Sequence, residues 1–226
     1  MINIYVVPEW FFGYDIVLEL IFAVVTLLVS YYAFKVYKLS GQDQPKLFGI
    51  SFLLISLSYI IQSIFNFIFV DKLEDITSYQ SIININILHA LGVYSHILFF
   101  VLGLITLTYM TLKVKNIKIS SLLFIIVLVA LFFSSNVLYS FYLISSILLA
   151  YILLFYIINY WKNRQHKTIL VLIAFAFLMF GNVHFIFSMN HSLYYVIGHL
   201  LGLIAYMLIL ANLVLVIRKS KKRIRQ

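Results

Sequence analysis

Ionisable side chains lie inside several long apolar runs of this chain, where such groups are rare. His89 and His96 are seven residues apart, and a helix would place them on one face about 10 Å apart along its axis. Glu19 and His199 lie in two other apolar runs. An ionisable group at membrane depth is costly, so it usually faces a bundle interior, a cavity or a partner rather than lipid. These residues are therefore the first candidates for binding or chemistry.

Three chemistries suit the histidines. A neutral imidazole is a common ligand of metal ions and of haem iron, and the candidate ligands are His89, His96, His184 and His199. Histidine also titrates near neutral pH, so a partner such as Glu19 would suit a pH sensor. In the third interpretation each histidine is only a hydrogen-bonded core residue. The spacing does not choose between them, because no two histidines stand four residues apart as zinc-binding pairs often do.

Amide and hydroxyl side chains accompany these groups in the halves of the apolar runs that we place on the outer side. Tyr59, Gln62 and Asn66 follow helical spacing in one run, and Asn182 lies two residues before His184 in another. We predict that they line a site, open to the outside, for a small ligand. The predicted ligand-binding residues are Glu19, Tyr59, Gln62, Asn66, His89, His96, Asn182, His184 and His199. Hydrogen bonding between helices explains the same residues equally well.

The elements that carry these residues are predicted membrane spans. The chain has 226 residues, of which 64% are hydrophobic and 10% charged, whereas soluble domains carry about 25% charged residues. We predict an all-α fold, a bundle of seven transmembrane helices. Their approximate ranges are 14–37, 47–70, 82–112, 119–133, 137–161, 168–188 and 193–217. The fourth and fifth are divided at 134–136, because one helix over 119–161 would be about 65 Å long, roughly twice the hydrocarbon core.

Basic residues lie in alternate connections between the predicted spans. Segments 38–46, 113–118 and 162–167 and the tail 218–226 hold nearly all Lys and Arg residues, and most acidic residues lie elsewhere. The positive-inside rule then places the N-terminus outside and the C-terminus in the cytoplasm. We expect a single transmembrane domain in the cell membrane. The net charge of +9 orients the chain in the lipid bilayer, and we predict no nucleic-acid partner.

Two glycines in the last predicted span have the spacing that lets helices approach closely. Gly198 and Gly202 stand four residues apart, and we predict that both pack against another helix of the same chain. Gly202→Leu is therefore expected to destabilise the protein more than Leu200→Ala, because Leu200 would face lipid.

The last predicted span also resembles a known family. The segment YVIGHLLGLIAY at 195–206, with YSHILFF at 94–100, is similar to seven-helix sensor modules that precede histidine kinase or cyclase domains in prokaryotes. The printed sequence contains neither domain after this span. The resemblance therefore implies a stand-alone sensor whose output passes through a cytoplasmic signalling partner.

The leading hypothesis is a non-enzymatic membrane sensor, receptor-like, that binds a small ligand in the outer half of its bundle. A histidine-liganded metal or haem protein is the first alternative, and a transporter or membrane-embedded enzyme is the second. Glu19 is the only carboxylate clearly inside a predicted span, so no acid–base pair is evident. No proline or glycine pair breaks a span as in many transporters. The cofactor remains open between none, a metal ion and haem.

Overall fold

The computed structural model describes residues 8–11, 13–73, 79–112, 116–163 and 166–224. Within these ranges the side chains at 9, 71–73, 79–86, 89, 117, 163, 166–168 and 219–224 lie outside the description. The described chain is helical, without a strand. After a short 3-10 turn, Glu9–Phe11, its helices are α1 (Tyr14–Ser40), α2 (Asp43–Leu73), α3 (Tyr79–Leu112), α4 (Ile117–Phe132), α5 (Val137–Asn163), α6 (His166–Phe187) and α7 (Leu193–Ile224).

The predicted all-α membrane class is confirmed. Six of the described helices are long and apolar enough to cross a bilayer, and α4, with 16 residues, is the shorter one. At 1.5 Å per residue α4 is about 24 Å long, against about 30 Å for a hydrocarbon core. The predicted break at 134–136 is also confirmed, since α4 ends before it and α5 begins after it.

Two helices extend beyond the spans that were predicted for them. α2 begins at Asp43 rather than at 47. Pro45 therefore lies in its first turn, where the missing N–H would have had no helical partner. α7 continues to Ile224 instead of ending at 217, so the helix runs on into the basic tail.

A tight turn makes α1 and α2 antiparallel neighbours. Gly41 ends α1 with a φ of 66°, a conformation that glycine adopts without a side-chain clash, and its N–H donates to the Tyr37 carbonyl at 2.8 Å. Only one further residue separates Gly41 from α2. The pairing continues along both helices, where the Ser30 hydroxyl donates to the Gly49 carbonyl at 2.8 Å.

The contacts of α7 show that it runs parallel to α1. The Phe11 ring, just before α1, meets the Tyr195 ring at 6.1 Å between centroids. Eleven residues farther along both segments, the Phe22 ring of α1 meets the Tyr206 ring of α7 at 5.5 Å between centroids. Moving along α1 therefore moves in the same direction along α7.

Helices joined by a short connection within the ring are antiparallel. His96 of α3 meets Ser58 of α2, and Gly103 meets Ser51, so α2 and α3 run in opposite directions. α5 and α6 are likewise antiparallel, since Tyr142 stacks on Phe185 and Tyr156 stacks on Phe175. α6 and α7 are antiparallel as well, since Gly181 packs beside Gly202 and Phe185 packs beside Gly198. It follows that α1, α3, α5 and α7 all point the same way.

Helix neighbours form a closed ring in the order α1, α2, α3, α5, α6, α7, and α7 packs back on α1. α4 lies outside this ring, against α3 and α5. We call the end where α1 begins the carboxylate end, because Asp15 and Glu19 lie there, and the other end the basic end. The described Lys and Arg side chains all lie toward the basic end: Lys35, Lys38, Lys46, Lys118, Lys162 and Arg218.

Both glycines of α7 lie against other helices, as predicted, but only Gly198 is packed too closely for a side chain. A Cβ added at Gly198 would lie 2.7 Å from the Phe185 ring of α6, which is closer than real Cβ contacts. A Cβ at Gly202 would have its nearest neighbour, Phe22, at 3.6 Å, an ordinary contact. The close approach therefore belongs to Gly198. Leu200 is exposed, as expected for a lipid-facing residue.

We predict that Gly103→Ala destabilises the bundle by about 1–3 kcal/mol, because overpacking forces neighbours to move. The new Cβ would lie 2.7 Å from the Ile55 side chain and 2.9 Å from the Ser51 carbonyl oxygen, and a helix backbone yields poorly. Thermal unfolding in detergent measures the loss. Gly202→Ala is the matched control, and equal losses for the two variants would contradict this account of α2–α3 packing.

Candidate functional site

Two carboxylates lie one helical turn apart at the start of α1. Asp15 and Glu19 are 7% and 5% exposed. Asp15 Oδ1 accepts hydrogen bonds from the backbone N–H groups of Gly13 and Ile16, both at 2.9 Å, and so satisfies donors at the helix start. Negative charge is favourable there because the first turn of a helix carries partial positive charge. Glu19 lies one turn deeper and faces α2.

Glu19 is joined to two of the other predicted site residues. The Asn66 amide nitrogen donates to both Glu19 carboxylate oxygens, at 3.1 and 3.0 Å. The Gln62 amide nitrogen donates to Asn66 Oδ1 at 3.4 Å. Asn66 and Gln62 stand one turn apart on α2, so a single face of that helix presents both amides. We call these three side chains the Glu19 chain; whether they bind a ligand stays a prediction.

The Glu19 chain has more acceptors than donors. The Asn66 amide nitrogen donates to both Glu19 oxygens, and the Gln62 amide nitrogen donates one of its two N–H groups to Asn66. Gln62 Oε1 is buried and has no hydrogen-bond partner among the described residues. Among the described residues, the hydrogen-bond partner of the Glu19 carboxyl is the Asn66 amide, and no described Lys, Arg or His side chain pairs with it. The free acceptor Gln62 Oε1 suits a ligand that carries a hydrogen-bond donor, and an ionised Glu19 would favour a cationic one.

His199 lies in an aromatic pocket that includes Phe22, three residues after Glu19 on α1. Its ring meets Tyr195 at 4.4 Å, Phe185 at 5.0 Å and, in a stacked arrangement, Phe22 at 5.9 Å. His199 Nδ1 lies 3.0 Å from the Tyr195 carbonyl. Because a carbonyl only accepts, the proton is assigned to Nδ1, and in the neutral ring Nε2 is an acceptor. His199 thus adds another acceptor rather than a donor.

His96 lies deeper, on the far side of two aromatic rings. Its Nδ1 lies 3.2 Å from the Ser58 carbonyl, and its ring meets Tyr59 at 5.4 Å. Tyr59 contacts Phe22 at 5.1 Å, and its hydroxyl is 3.1 Å from that of Tyr206. A chain of ring contacts therefore runs from His96 through Tyr59 and Phe22 to His199.

The other predicted site residues are not brought into the Glu19 chain. The Asn182 amide donates to the Leu178 carbonyl at 2.9 Å, and His184 Nδ1 lies 2.7 Å from the Phe180 carbonyl, both within α6. These contacts satisfy the side chains locally. The side chain of His89 lies outside the described residues, so its predicted convergence with His199 stays a prediction.

The metal hypothesis gains no support from the described part of the chain, which contains no group of three or more His, Cys, Asp or Glu residues able to hold an ion. A cavity of about 190 Å³ does occur, but it lies between α3 and α4 and none of the predicted site residues line it.

Asp15 is the polar residue of this site that sequence reasoning missed, because its position at the predicted membrane boundary suggested a solvated charge. The structure buries it, so Glu19 is not the only carboxylate within α1. The four-residue spacing from Glu19, which puts both side chains on one helix face, was the available signal.

Comparison of the chain with protein-family models, curated proteins and solved structures found no match.

We predict that Asn66→Ala destabilises the protein by about 1.5–3 kcal/mol, because a buried carboxylate loses its hydrogen-bond donor. Asn182→Ala is the matched control, since it removes only a bond within α6. Thermal unfolding in detergent compares the two. Combining Asn66→Ala with Glu19→Gln should recover part of the loss, and no recovery would contradict the link between Asn66 and the Glu19 charge.

Proposed function

We propose that the chain is an integral membrane protein of seven crossings in which α4 is one of the crossing helices. The parallel course of α1 and α7 supports this count. Successive crossings alternate in direction, so six crossings would leave the first and last helices antiparallel. With α4 as a seventh crossing, the first and last helices run parallel, as they do in the structure. α4 covers about 24 Å of the roughly 30 Å hydrocarbon core, and residues 133–136 after it can cover the rest at up to about 3.3 Å each.

The proposed orientation has the N-terminus outside and the basic end in the cytoplasm. The support is the segregation of charge, because the described Lys and Arg side chains lie toward the basic end. Lys and Arg are retained on the cytoplasmic side during insertion. The carboxylate end, with Asp15 and Glu19, then faces outward.

Cysteine labelling tests both proposals, and the chain suits it because it contains no cysteine. We predict that an impermeant maleimide added to intact cells labels Ser135→Cys, in the α4–α5 turn, and Asn190→Cys. Lys118→Cys, at the start of α4, should be labelled only after the membrane is opened. Equal protection of positions 118 and 135 would overturn the α4 crossing, and labelling of 118 alone would reverse the orientation.

The function that this geometry supports best is non-enzymatic recognition of a small, positively charged ligand at the Glu19 chain, as in a membrane sensor. One observation carries it: the buried Glu19 carboxylate has a neutral amide as its described partner, next to a buried Gln62 oxygen without one. A buried charge is stable when it is paired, and a cationic donor would pair it. The carboxylate end of α7 also carries two uncharged polar side chains, those of Tyr195 and neutral His199. Transmission to a cytoplasmic signalling partner is part of the proposal.

Ligand binding is tested by thermal stability of the purified protein with ammonium, methylammonium, tetramethylammonium or argininium chloride, against sodium chloride at equal ionic strength. A ligand at 100 times its Kd stabilises by about 2.7 kcal/mol. We predict stabilisation by at least one of the organic or ammonium cations, and its loss in Glu19→Gln. Asp43→Asn, at the exposed start of α2, should keep it. An equal shift in Glu19→Gln, or none of these cations stabilising the wild type, would overturn cation recognition at Glu19.

A further inference from the structure

A second place for a ligand lies on the outer surface of the helix ring, remote from Glu19. The cavity of about 190 Å³ lies between α3, α4 and the first residue of α5. Its lining is mainly apolar and includes Leu98, Leu128, Phe132 and Val137. Tyr94 and Ser95 supply the hydroxyl groups of the lining.

The position of the cavity determines what can enter it. Its rim residues Tyr94, Leu98 and Phe132 are 48%, 37% and 69% exposed, whereas Ile97 and Leu131 beneath them are buried. The rim lies on α3 and α4, whose surfaces face hydrocarbon in the proposed topology. Entry is therefore lateral, from the bilayer. An apolar space that opens into hydrocarbon is filled by apolar chains rather than by water.

The depth of the cavity selects one part of a lipid. Phe132 ends α4 and Val137 begins α5, so the cavity is close to the carboxylate end of both helices. A lipid of the outer leaflet has its ester groups and first methylenes at this level. Tyrosine is common where a headgroup region meets hydrocarbon, and Tyr94 and Ser95 hydroxyls can donate to an ester oxygen.

The size of the cavity limits the occupant to part of one chain. An engineered apolar cavity of about 150 Å³ holds benzene, so 190 Å³ holds several methylene groups but not a whole lipid. The cavity forms where α4 packs on α3 and α5 from outside the ring, and the Phe132 ring at the end of α4 is exposed rather than packed into the space.

The geometry points to a binding site for the upper segment of one acyl chain of an outer-leaflet phospholipid, held between α3 and α4 with its ester end at Tyr94 and Ser95. The chain enters from the side and fills the space between the two helices. This inference rests on the proposed crossing and orientation of α4. It does not depend on cation recognition at Glu19.

The test uses the full-length protein in nanodiscs of phosphatidylcholine that contains a photoreactive diazirine near the ester end of one acyl chain. After irradiation, mass spectrometry maps the adducts. We expect adducts in segments 94–98 and 128–137 at least fivefold above those at the exposed residues Leu122, Ile125 and Ile126 of α4. Adducts spread evenly over the exposed face of α4 would overturn the site, since they would report surrounding lipid only.

A pair of matched variants sharpens the test. Leu128→Trp places an indole in the cavity. Ile125→Trp places the same group on the outer surface of the same helix, where the Ile125 side chain is 56% exposed. Labelling of the cavity should fall at least fivefold in Leu128→Trp and stay unchanged in Ile125→Trp. Unchanged labelling in a folded Leu128→Trp would overturn the proposal. If that variant does not fold, Val137→Phe fills the cavity from α5 and is judged in the same way.

The two proposals can fail separately. Labelling of Ser135→Cys reports the crossing of α4 without any lipid probe. If position 135 faces outward and the adducts are still even along α4, the crossing stands and the acyl-chain site is wrong. If position 135 faces the cytoplasm, an outer-leaflet occupant is excluded whatever the adduct pattern.

Discussion

The arrangement of this protein depends on the need of buried polar groups for partners where no water is present. Hydrocarbon offers no hydrogen bonds, so helices satisfy the backbone and side chains must find partners within the bundle. Many hydroxyls do so on their own helix, as Thr26 and Thr108 bond to carbonyls four residues earlier. The side chains that cannot do so determine which helices associate.

α2 is where this need joins helices together. Ser56 bonds to the Ala23 carbonyl of α1, and Asn66 bonds to Glu19 of the same helix. The Tyr59 hydroxyl pairs with Tyr206 of α7, and the Ser58 carbonyl pairs with His96 of α3. Interhelical hydrogen bonds in membranes are worth roughly 0.6–2 kcal/mol each, so their sum fixes α1, α3 and α7 around α2. Farther round the ring, α5 and α6 meet through stacked aromatic pairs.

Hydropathy and charge predict the helices well, because both are local properties of the chain. The common depth and helical spacing of Glu19, Gln62 and Asn66 also predicted a meeting that the structure contains. Spacing did not predict that Asn182 and His184 would form hydrogen bonds within α6, since the partner of a side chain depends on its rotamer and on its neighbours. Nor did it predict the ring order, with α4 outside the α3–α5 contact, because each apolar span offers several faces of similar hydrophobicity.

Closure of the ring by α7 has a consequence for biosynthesis. The aromatic partners of Phe22 include His199 and Tyr206 of α7, which the ribosome adds after α1 to α6. The first two helices can pair as soon as both are made, since their turn is short and their hydrogen bonds are mutual. Until α7 is inserted, however, the α7-facing side of α1, next to Glu19, remains uncovered. A chain stalled before α7 would therefore expose this side of α1 to membrane quality control, and insertion of α7 would cover it.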